Sequence, residues 1–348
     1  MRILTYLFLF TIILSCKHKE ENTKIKITSV KIEEVYNDSR LSIRAIDVAS
    51  DKSIAFAANE GVFGLYNPQT EEWATATQSY DSINLQFRAI ARTLNDFFML
   101  SVESPALLFK TGENGAMEVV YKEENDKAFY DAMRFWNTEE GIAIGDPTED
   151  CMSIIITRDG GKTWNKVSCD ELPKVKEGEA AFAASNSNIA TVGNKAWIAT
   201  GGKTSRILFS DDKGKSWQIF ETPMINGETT TGIYSIDFYD ENTGFAIGGD
   251  YTKPEQTKAN KMRTSDGGKT WQLVGDGAEP GYRSCVQYVP NGKGNELVAI
   301  GMQGIDYSSD SGNTWKHLSD EGFHTLRFLN DSVAYAAGEG RIARLKFQ

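Results

Sequence analysis

Short segments in which apolar and polar residues alternate recur along most of the chain. They are rich in Ile, Val, Phe and Ala, and Gly, Asn and Asp stand at the breaks between them. One clear group comprises residues 87–93, 97–102, 107–110 and 117–121. Alternation with a period of two, broken by turn residues, predicts β-strands joined by hairpins. It does not fit the longer period of an amphipathic helix.

One eight-residue motif occurs four times with the pattern S/T-x-D-x-G-x-S/T-W, and we call each copy a box. The copies occupy residues 157–164, 210–217, 264–271 and 308–315, so their Trp residues are 53, 54 and 44 positions apart. A degraded copy at 66–73 keeps the Trp, and the one at 111–118 keeps only the turn. In each copy the Asp accepts turn amides, the Gly takes positive φ, and the Trp packs. A repeat at this spacing indicates an architecture built of similar structural units.

The units can be counted by their first strands. Seven segments start one, and these begin at Ile43, Phe87, Tyr130, Glu179, Ile233, Tyr282 and Phe323. The last unit has three strands, and the alternating segment 24–36 can supply the fourth. The sequence therefore predicts an all-β, seven-bladed β-propeller of four-stranded antiparallel blades. Its ring is closed by the N-terminal strand, which completes the last blade.

The first sixteen residues have the pattern of a bacterial lipoprotein signal. Arg2 supplies a positive charge, residues 3–14 form an apolar run too short to span a bilayer, and Cys16 follows. We expect a lipoprotein signal peptide at 1–15, the lipidated Cys16 with a charged tether at 16–23, and the propeller at 24–348. The protein would then be exported and held on a bacterial membrane by its lipid alone. An ordinary signal peptide with a Cys at its end is the alternative.

Charge and cysteine content narrow the classes of partner. The 348-residue chain has a net charge of -11 and no basic patch, so nucleic acid is not an expected partner. No motif indicates a cofactor or a metal site, and we expect a monomer. Cys151 and Cys169 flank the first repeat and face each other if it is a hairpin, which permits a disulfide unless the register separates them. Cys285 is expected to be buried and inert.

The four boxes resemble the Asp-box, or bacterial neuraminidase repeat, of sialidases and many other propellers. The seven-fold count and the segments 141–147, 244–251 and 281–284 are more similar to the photosystem II assembly and stability factor-like propellers. This resemblance covers nearly all of the expected mature chain. It implies the seven-bladed fold, and it implies function far less closely because one fold hosts many activities.

The boxes mark the back face of the disc, so candidate chemistry lies on the front face, where the first strands begin. When the seven first strands are aligned, with Gly178 as the first aligned residue of the fourth, their second residues form one polar column: Arg44, Arg88, Asp131, Glu179, Tyr234, Arg283 and His324. The residue that follows is small in every unit, as crowding near the pore requires. Asp146 and Asp250 end second strands on the same face, where they either add acceptors or cap turns.

The column supports two functions. In the first, the propeller is a non-catalytic binding or assembly module whose front face takes a protein, peptide or glycan. In the second, it is a sialidase-like glycoside hydrolase, with Arg44, Arg88 and Arg283 holding an anion, Asp131 or Glu179 as acid/base, and Tyr234 as nucleophile. A mixed-sign ring could also satisfy itself and close the pore. Carboxyl groups converging on an open pocket would favour the enzyme.

Overall fold

A computed structural model describes residues 27–112 and 115–348. Its strands form seven sheets arranged as the seven blades of a propeller, which confirms the predicted fold. The first strand of each blade lies along the central pore, and in blades 1 to 6 the remaining strands follow outward in chain order. Cys16 and the two N-terminal segments predicted before residue 24 lie outside the described residues. No helix of the described chain is long and apolar enough to cross a membrane.

Blades 1 to 3 are regular four-stranded meanders. Blade 1 consists of Ala45–Val48, Ile54–Ala57, Val62–Asn67 and Glu72–Thr77. Blade 2 consists of Phe87–Arg92, Phe97–Ser101, Ala106–Thr111 and Met117–Glu123. Blade 3 consists of Tyr130–Phe135, Gly141–Gly145, Ser153–Thr157 and Asn165–Lys166. Each neighbouring pair of strands is antiparallel, as the alternating sequence predicts.

Blades 4 to 6 follow the same plan with one addition. Blade 4 consists of Ile189–Val192, Lys195–Ala199, Arg206–Ser210 and Gln218–Glu221. Blade 5 consists of Thr231–Phe238, Gly244–Asp250, Lys261–Thr264 and Gln272–Leu273. Blade 6 consists of Cys285–Tyr288, Leu297–Gly301, Gly304–Ser308 and Lys316–Ser319. The short strands Glu179–Ala180 and Gly201–Gly202 pair with each other and extend the sheet of blade 5 on the front side.

The N-terminal strand closes the ring. Blade 7 consists of Thr325–Phe328, Val333–Ala337 and Glu339–Phe347, and Val30–Ser42 pairs antiparallel with the last of these as the outer strand. This strand begins six residues later than the predicted segment 24–36 and continues to the front rim, because its register matches Val30 to Phe347 and Ser42 to Glu339. The closure leaves no blade without its outer strand.

The boxes stabilise the back face. In the third copy, the Asp266 carboxylate accepts hydrogen bonds from the amide and hydroxyl of Thr270 at 3.0 and 2.7 Å and from the Thr264 hydroxyl at 2.8 Å. The Trp271 indole donates to the Gly268 carbonyl at 3.0 Å. The hydrogen bonds of the turn are thus made by its own side chains, and the box Asp and Trp have a structural role.

Cys151 and Cys169 form a disulfide across the loop that carries the first box, with Cα atoms 5.4 Å apart. Cys285 is a free and fully buried thiol in the first strand of blade 6. Its Sγ lies 3.8 Å from the Leu326 carbonyl oxygen, in the packed pore. The bond between the other two cysteines fixes a front-face loop to the blade that precedes it.

Candidate functional site

Polar side chains of the predicted column reach the front end of the pore because the first strands carry β-bulges there. In blades 2, 3 and 5, the pairing between the first and second strands leaves out one residue of the first strand. These residues are Arg88, Asp131 and Tyr234. A bulged residue has no ladder partner, so its side chain is turned away from the regular alternation. The ring of functional groups therefore has a backbone cause that the sequence pattern did not reveal.

Four residues of the predicted column meet in one cavity. Arg44, Arg88, Tyr234 and His324 line a front-face cavity of about 370 Å³, which we call the front cavity. Its other principal walls are aromatic or small and come from Phe182, Ala183, Ala184, Tyr251, Tyr282 and Ser284. The front cavity is thus formed by blades 1, 2, 5, 6 and 7 together with the segment before blade 4.

The two arginines give the front cavity its charge. Within the described residues, neither Arg44 nor Arg88 forms a hydrogen bond or an ion pair with the protein. Burial lowers the pKa of both guanidinium groups, and the charge of Arg88 lowers that of Arg44 further. Both groups stay protonated at neutral pH. The charge of Glu339 acts on both arginines but does not pair with either directly. Two cations that lack a direct ion-pair partner among the described residues make the front cavity a place where an anionic group is stabilised.

The carboxylates of the column do not face the front cavity. Asp131 is fully buried, and neither of its oxygens has a hydrogen-bond partner among the described residues. Burial and the charge of Asp146 raise the pKa of Asp131 well above its usual value, although Arg88 partly opposes the shift. Asp146 accepts a hydrogen bond from the Ala181 amide at 2.8 Å, and burial raises its pKa to about 6. Asp131 is therefore enclosed and does not line the front cavity, and burial favours its neutral form.

Glu179 and Arg283 depart from the predicted column, and each is held by a buried partner. The first strand of blade 4 begins at Ile189, so Glu179 precedes the blade and forms a bidentate ion pair with Arg206. In blade 6 the register places Ser284 at the column position. Arg283 turns outward and donates to the Asp306 carboxylate at 2.7 Å. A shift of one residue in strand register turns a side chain to the other face of the strand. The prediction that Arg283 belongs to the column was wrong for this reason.

Tyr234 and His324 face the front cavity as neutral groups. The Tyr234 hydroxyl donates to the Thr230 carbonyl at 2.8 Å, and burial raises its pKa above the usual value. Burial and the charge of Arg44 lower the pKa of His324 to about 4, while its Nε2 lies 2.7 Å from a Glu339 carboxylate oxygen. Neither side chain has the activated state that a nucleophile or a general acid at neutral pH requires.

Aromatic rings form another wall of the front cavity. The rings of Phe182 and Tyr234 stack with centroids 3.9 Å apart, and Tyr282 meets Tyr234 edge-on at 4.8 Å. Tyr251 extends this wall toward solvent and is half exposed. The sequence did not single out Phe182, Tyr251 or Tyr282. The sequence offered one signal that these residues line a site. Tyr282 stands next to a residue of the predicted column, and Tyr251 begins a long loop on the front face.

A short segment closes the pore beneath the front cavity. Residues 182–188 cross the pore, and hydrogen bonds tie them to blades 2, 3, 5, 6 and 7, the last through the Thr325 hydroxyl, which donates to the Ser185 carbonyl at 2.9 Å. The Asn186 side chain donates to the Ile90 carbonyl at 2.9 Å and accepts from the Met133 amide at 3.0 Å. The Ser185 hydroxyl donates to the Ser284 carbonyl at 2.6 Å, and that of Ser187 donates to Ser235 at 2.8 Å. The pore is thus plugged by chain rather than by a self-paired ring of charges.

Asp250 behaves as a turn cap. Its carboxylate accepts hydrogen bonds from the Thr252 amide at 3.0 Å and the Thr252 hydroxyl at 2.6 Å. Lys253 lies 3.6 Å away and contributes charge. No cluster of three or more His, Cys, Asp or Glu that could hold a metal occurs among the described residues. Ligand binding by Asp250 and Asp146 stays a prediction.

Comparisons with known proteins agree with this fold. A family described as BNR/Asp-box repeat matches residues 155–166, and no curated protein matches the sequence. YCF48 bound to D1 peptide is 12% identical over 93% of this chain and 98% of that chain, with a TM-score of 0.64. A streptogramin B lyase is 14% identical over 92% and 98%, with a TM-score of 0.67. Virginiamycin B lyase from Staphylococcus aureus is 12% identical over 92% and 100%, with a TM-score of 0.62.

At this level of identity the likeness shows the fold. The chain is a seven-bladed β-propeller with a BNR/Asp-box repeat, and its fold is that of the photosystem II assembly factor YCF48 and of streptogramin B lyase. The predicted resemblance is confirmed in these terms. One of these neighbours is a peptide-bound protein and the other is named as a lyase, so the fold alone does not choose between binding and catalysis.

Proposed function

We propose that the protein is a non-catalytic binding module that takes an anionic group of a protein, peptide or glycan ligand in the front cavity. The observation that carries the proposal is the pair of unpaired guanidinium groups, Arg44 and Arg88, in a partly buried cavity. A carboxylate placed between them gains charge-assisted hydrogen bonds that the protein does not provide.

The aromatic wall indicates the body of the ligand. Phe182, Tyr234 and Tyr282 line the front cavity together with the arginines, and their rings pack on one another. Such rings bury apolar or planar surface at low entropic cost. The ligand would thus have an acidic group beside an apolar side chain or a sugar ring. The peptide-bound state of YCF48 supports a peptide as the first class to test.

The hydrolase alternative lacks its acid and its nucleophile. A glycosidase brings two carboxyl groups, or a Tyr and a carboxyl, to opposite sides of the scissile bond. Here Asp131 is enclosed, Glu179 is bound to Arg206, and the Tyr234 hydroxyl donates to a carbonyl. No carboxyl group among the lining residues of the front cavity could take either role.

Binding can be tested with a peptide array in which each sequence has a free C-terminal carboxylate and an amidated counterpart, next to a panel of uronic-acid oligosaccharides. We expect hits to require the anionic group and to weaken by at least about tenfold in Arg44→Gln and Arg88→Gln. Arg40→Gln is the matched control, since Arg40 pairs with Asp38 at the exposed rim. Anion-independent hits, or equal loss in the control, would refute the proposal. Turnover of a glycoside would support the alternative.

We also propose that the propeller is exported and lipid-anchored through Cys16. The disulfide between Cys151 and Cys169 supports this location, because such bonds persist outside the reducing cytoplasm. Labelling with a fatty-acid analogue should mark the full-length protein and not Cys16→Ala, and the variant should leave the membrane fraction. Equal membrane association of both proteins would contradict the anchor. Monomer behaviour and the lack of nucleic-acid binding follow from the acidic composition and remain predictions.

A further inference from the structure

On the back face, each box turn packs against the preceding blade. A Cβ placed on Gly161 of blade 3 would lie 2.2 Å from the Phe98 ring of blade 2, and one on Gly312 of blade 6 would lie 2.3 Å from Phe245 of blade 5. Only glycine permits this approach, and it does so in the positive-φ conformation found at both positions. The boxes therefore close the junctions between neighbouring blades as well as their own hairpins.

Three junctions lack an intact box, and two of them are closed in another way. Between blades 7 and 1, the retained Trp73 packs on Tyr36 and donates to the Val35 carbonyl at 2.9 Å. Between blades 6 and 7, Ile27, which precedes the N-terminal strand, belongs to the hydrophobic core that residues of both blades share. At the junction of blades 1 and 2, a cleft of about 1050 Å³ remains. We call it the back cleft.

The back cleft is lined by large apolar side chains that are unusually exposed. Leu94, at the tip of the first hairpin of blade 2, is 90% exposed, and Leu65 on the facing strand of blade 1 is 42% exposed. Tyr66, Trp73 and Phe97 form its deeper wall. Exposed apolar side chains grouped around a concave surface mark an interaction site rather than an ordinary surface.

The charges of the back cleft are not balanced. Arg92 pairs with Asp47 at 2.7 Å, and Lys110 pairs with Asp96 at 2.5 Å. Two further carboxylates on the lining, Asp51 and Glu72, have no ion-pair partner in the described part of the chain. Hydrogen bonds from Ser53 lower the pKa of Asp51, so it is ionised at neutral pH. The rim is therefore acidic.

We propose that the back cleft is a docking site for a basic, apolar segment of a partner protein. The segment inserts an aromatic or large aliphatic side chain beside Leu65 and Leu94 and places Lys or Arg near Asp51 and Glu72. The acidic rim selects a cationic partner and opposes an anionic lipid surface. This surface lies on the face opposite the front cavity, so the proposal stands independently of the function proposed above.

The chain itself contains a segment of this chemistry. Residues 156–167 (I-T-R-D-G-G-K-T-W-N-K-V) combine three cationic side chains, one Asp and a Trp, and in the fold they pack on the second blade as described. A fluorescein-labelled cyclic peptide of this sequence is therefore a suitable probe. Its Trp→Ala form is the peptide control.

The test is fluorescence anisotropy of the labelled peptide with the full-length protein in detergent. We expect saturable binding that weakens by at least about tenfold in Leu94→Glu and with the Trp→Ala peptide. Binding should also weaken as NaCl rises from about 0.05 M to about 0.5 M. Val119→Glu is the matched control, because Val119 is a 41% exposed apolar residue on the outer strand of blade 2. It should bind within about twofold of the parent.

Three results would overturn the proposal. The first is no saturable binding of the peptide, and the second is equal binding by Leu94→Glu and the parent protein. The third is a concentration-dependent dimer in sedimentation that Leu94→Glu dissolves, since a second copy of this chain would then be the occupant. Because Leu94 is almost fully exposed, its substitution is not expected to unfold the blade, and an unchanged thermal midpoint verifies this.

Discussion

Arg44 and Arg88 lie on adjacent blades, face the same front cavity, and the charge of Arg88 lowers the pKa of Arg44. Neither guanidinium group has a direct ion-pair partner among the described residues, and partly buried like charges destabilise the fold, so stability does not explain their juxtaposition. Ligand binding explains it, because the repulsion between the two guanidinium groups is relieved when an anion enters the front cavity. Function and stability are expected to oppose each other at these two positions.

The first prediction follows from this opposition. Arg44→Met and Arg88→Met should each raise the free energy of unfolding by about 1 kcal/mol, since one buried charge is removed and the aliphatic volume is kept. The same variants should lose affinity for anionic ligands by at least about tenfold. Urea denaturation and ligand titration on the same samples measure both. A loss of stability in both variants would mean that the guanidinium groups are structural.

The second prediction concerns Glu179, which the sequence offered as an acid/base. Glu179→Gln should lower the free energy of unfolding by about 3 kcal/mol, because it leaves the buried Arg206 without its partner. Glu177→Gln is the control, since Glu177 pairs with Lys203 at the exposed surface and should cost less than about 1 kcal/mol. Chemical denaturation measures both values. A stable Glu179→Gln protein with altered ligand affinity would instead return Glu179 to the site.

The third prediction is a pH dependence. The pKa of Asp146 is raised to about 6 in the folded state, so between about pH 4 and pH 6 the folded state binds more protons than the unfolded state. Its contribution to stability therefore falls as the pH rises through this window. The Asp146→Asn variant should lack this decrease in stability. The difference between its free energy of unfolding and that of the parent should therefore grow from pH 4 to pH 7.

His324 should change stability with pH in the direction opposite to Asp146, which gives an internal check of the pH prediction. Its pKa is lowered to about 4 in the folded state, so the unfolded state binds more protons up to its ordinary pKa and stability rises with pH. His324→Gln should remove that rise, and the difference from the parent should have the reverse slope to that of Asp146→Asn. Denaturation curves at four pH values for the three proteins measure both slopes. Parallel curves would contradict the assignment of either group.

The sequence predicted the fold because its signals are local and repeated. The box spacing and the count of first strands defined seven blades, and the spare alternating segment indicated how the ring closes. The column was predicted at the observed register in blades 1, 2, 3, 5 and 7, where first strands align without a gap. Blade 6 differs because Ser284, not Arg283, takes the position, and a period-two pattern looks the same after a one-residue slip.

Blade 4 differs for another reason. The segment before it is longer, and Glu179 and Ala180 form a separate short strand while residues 182–188 enter the pore. Tertiary hydrogen bonds to other blades decide this course, and no local pattern encodes them. The front cavity could also not be predicted from the sequence, because its aromatic wall is formed by Phe182, Tyr234 and Tyr282, which lie on separate segments.

The last prediction tests the segment that plugs the pore. Asn186 is fully buried with a φ of 53°, and its side chain bonds to blades 2 and 3. Asn186→Ala should lower the free energy of unfolding by about 2–4 kcal/mol, because it leaves the Met133 amide and the Ile90 carbonyl unsatisfied and strains a positive φ. Asn186→Gly keeps the loss of hydrogen bonds but relieves the backbone, so it should be less destabilised than Asn186→Ala. Because Ala183 and Ala184 form the floor of the front cavity, both variants should also weaken ligand binding. Calorimetry and ligand titration would measure the two effects, and an unchanged thermal midpoint in Asn186→Ala would show that the plug does not hold the blades together.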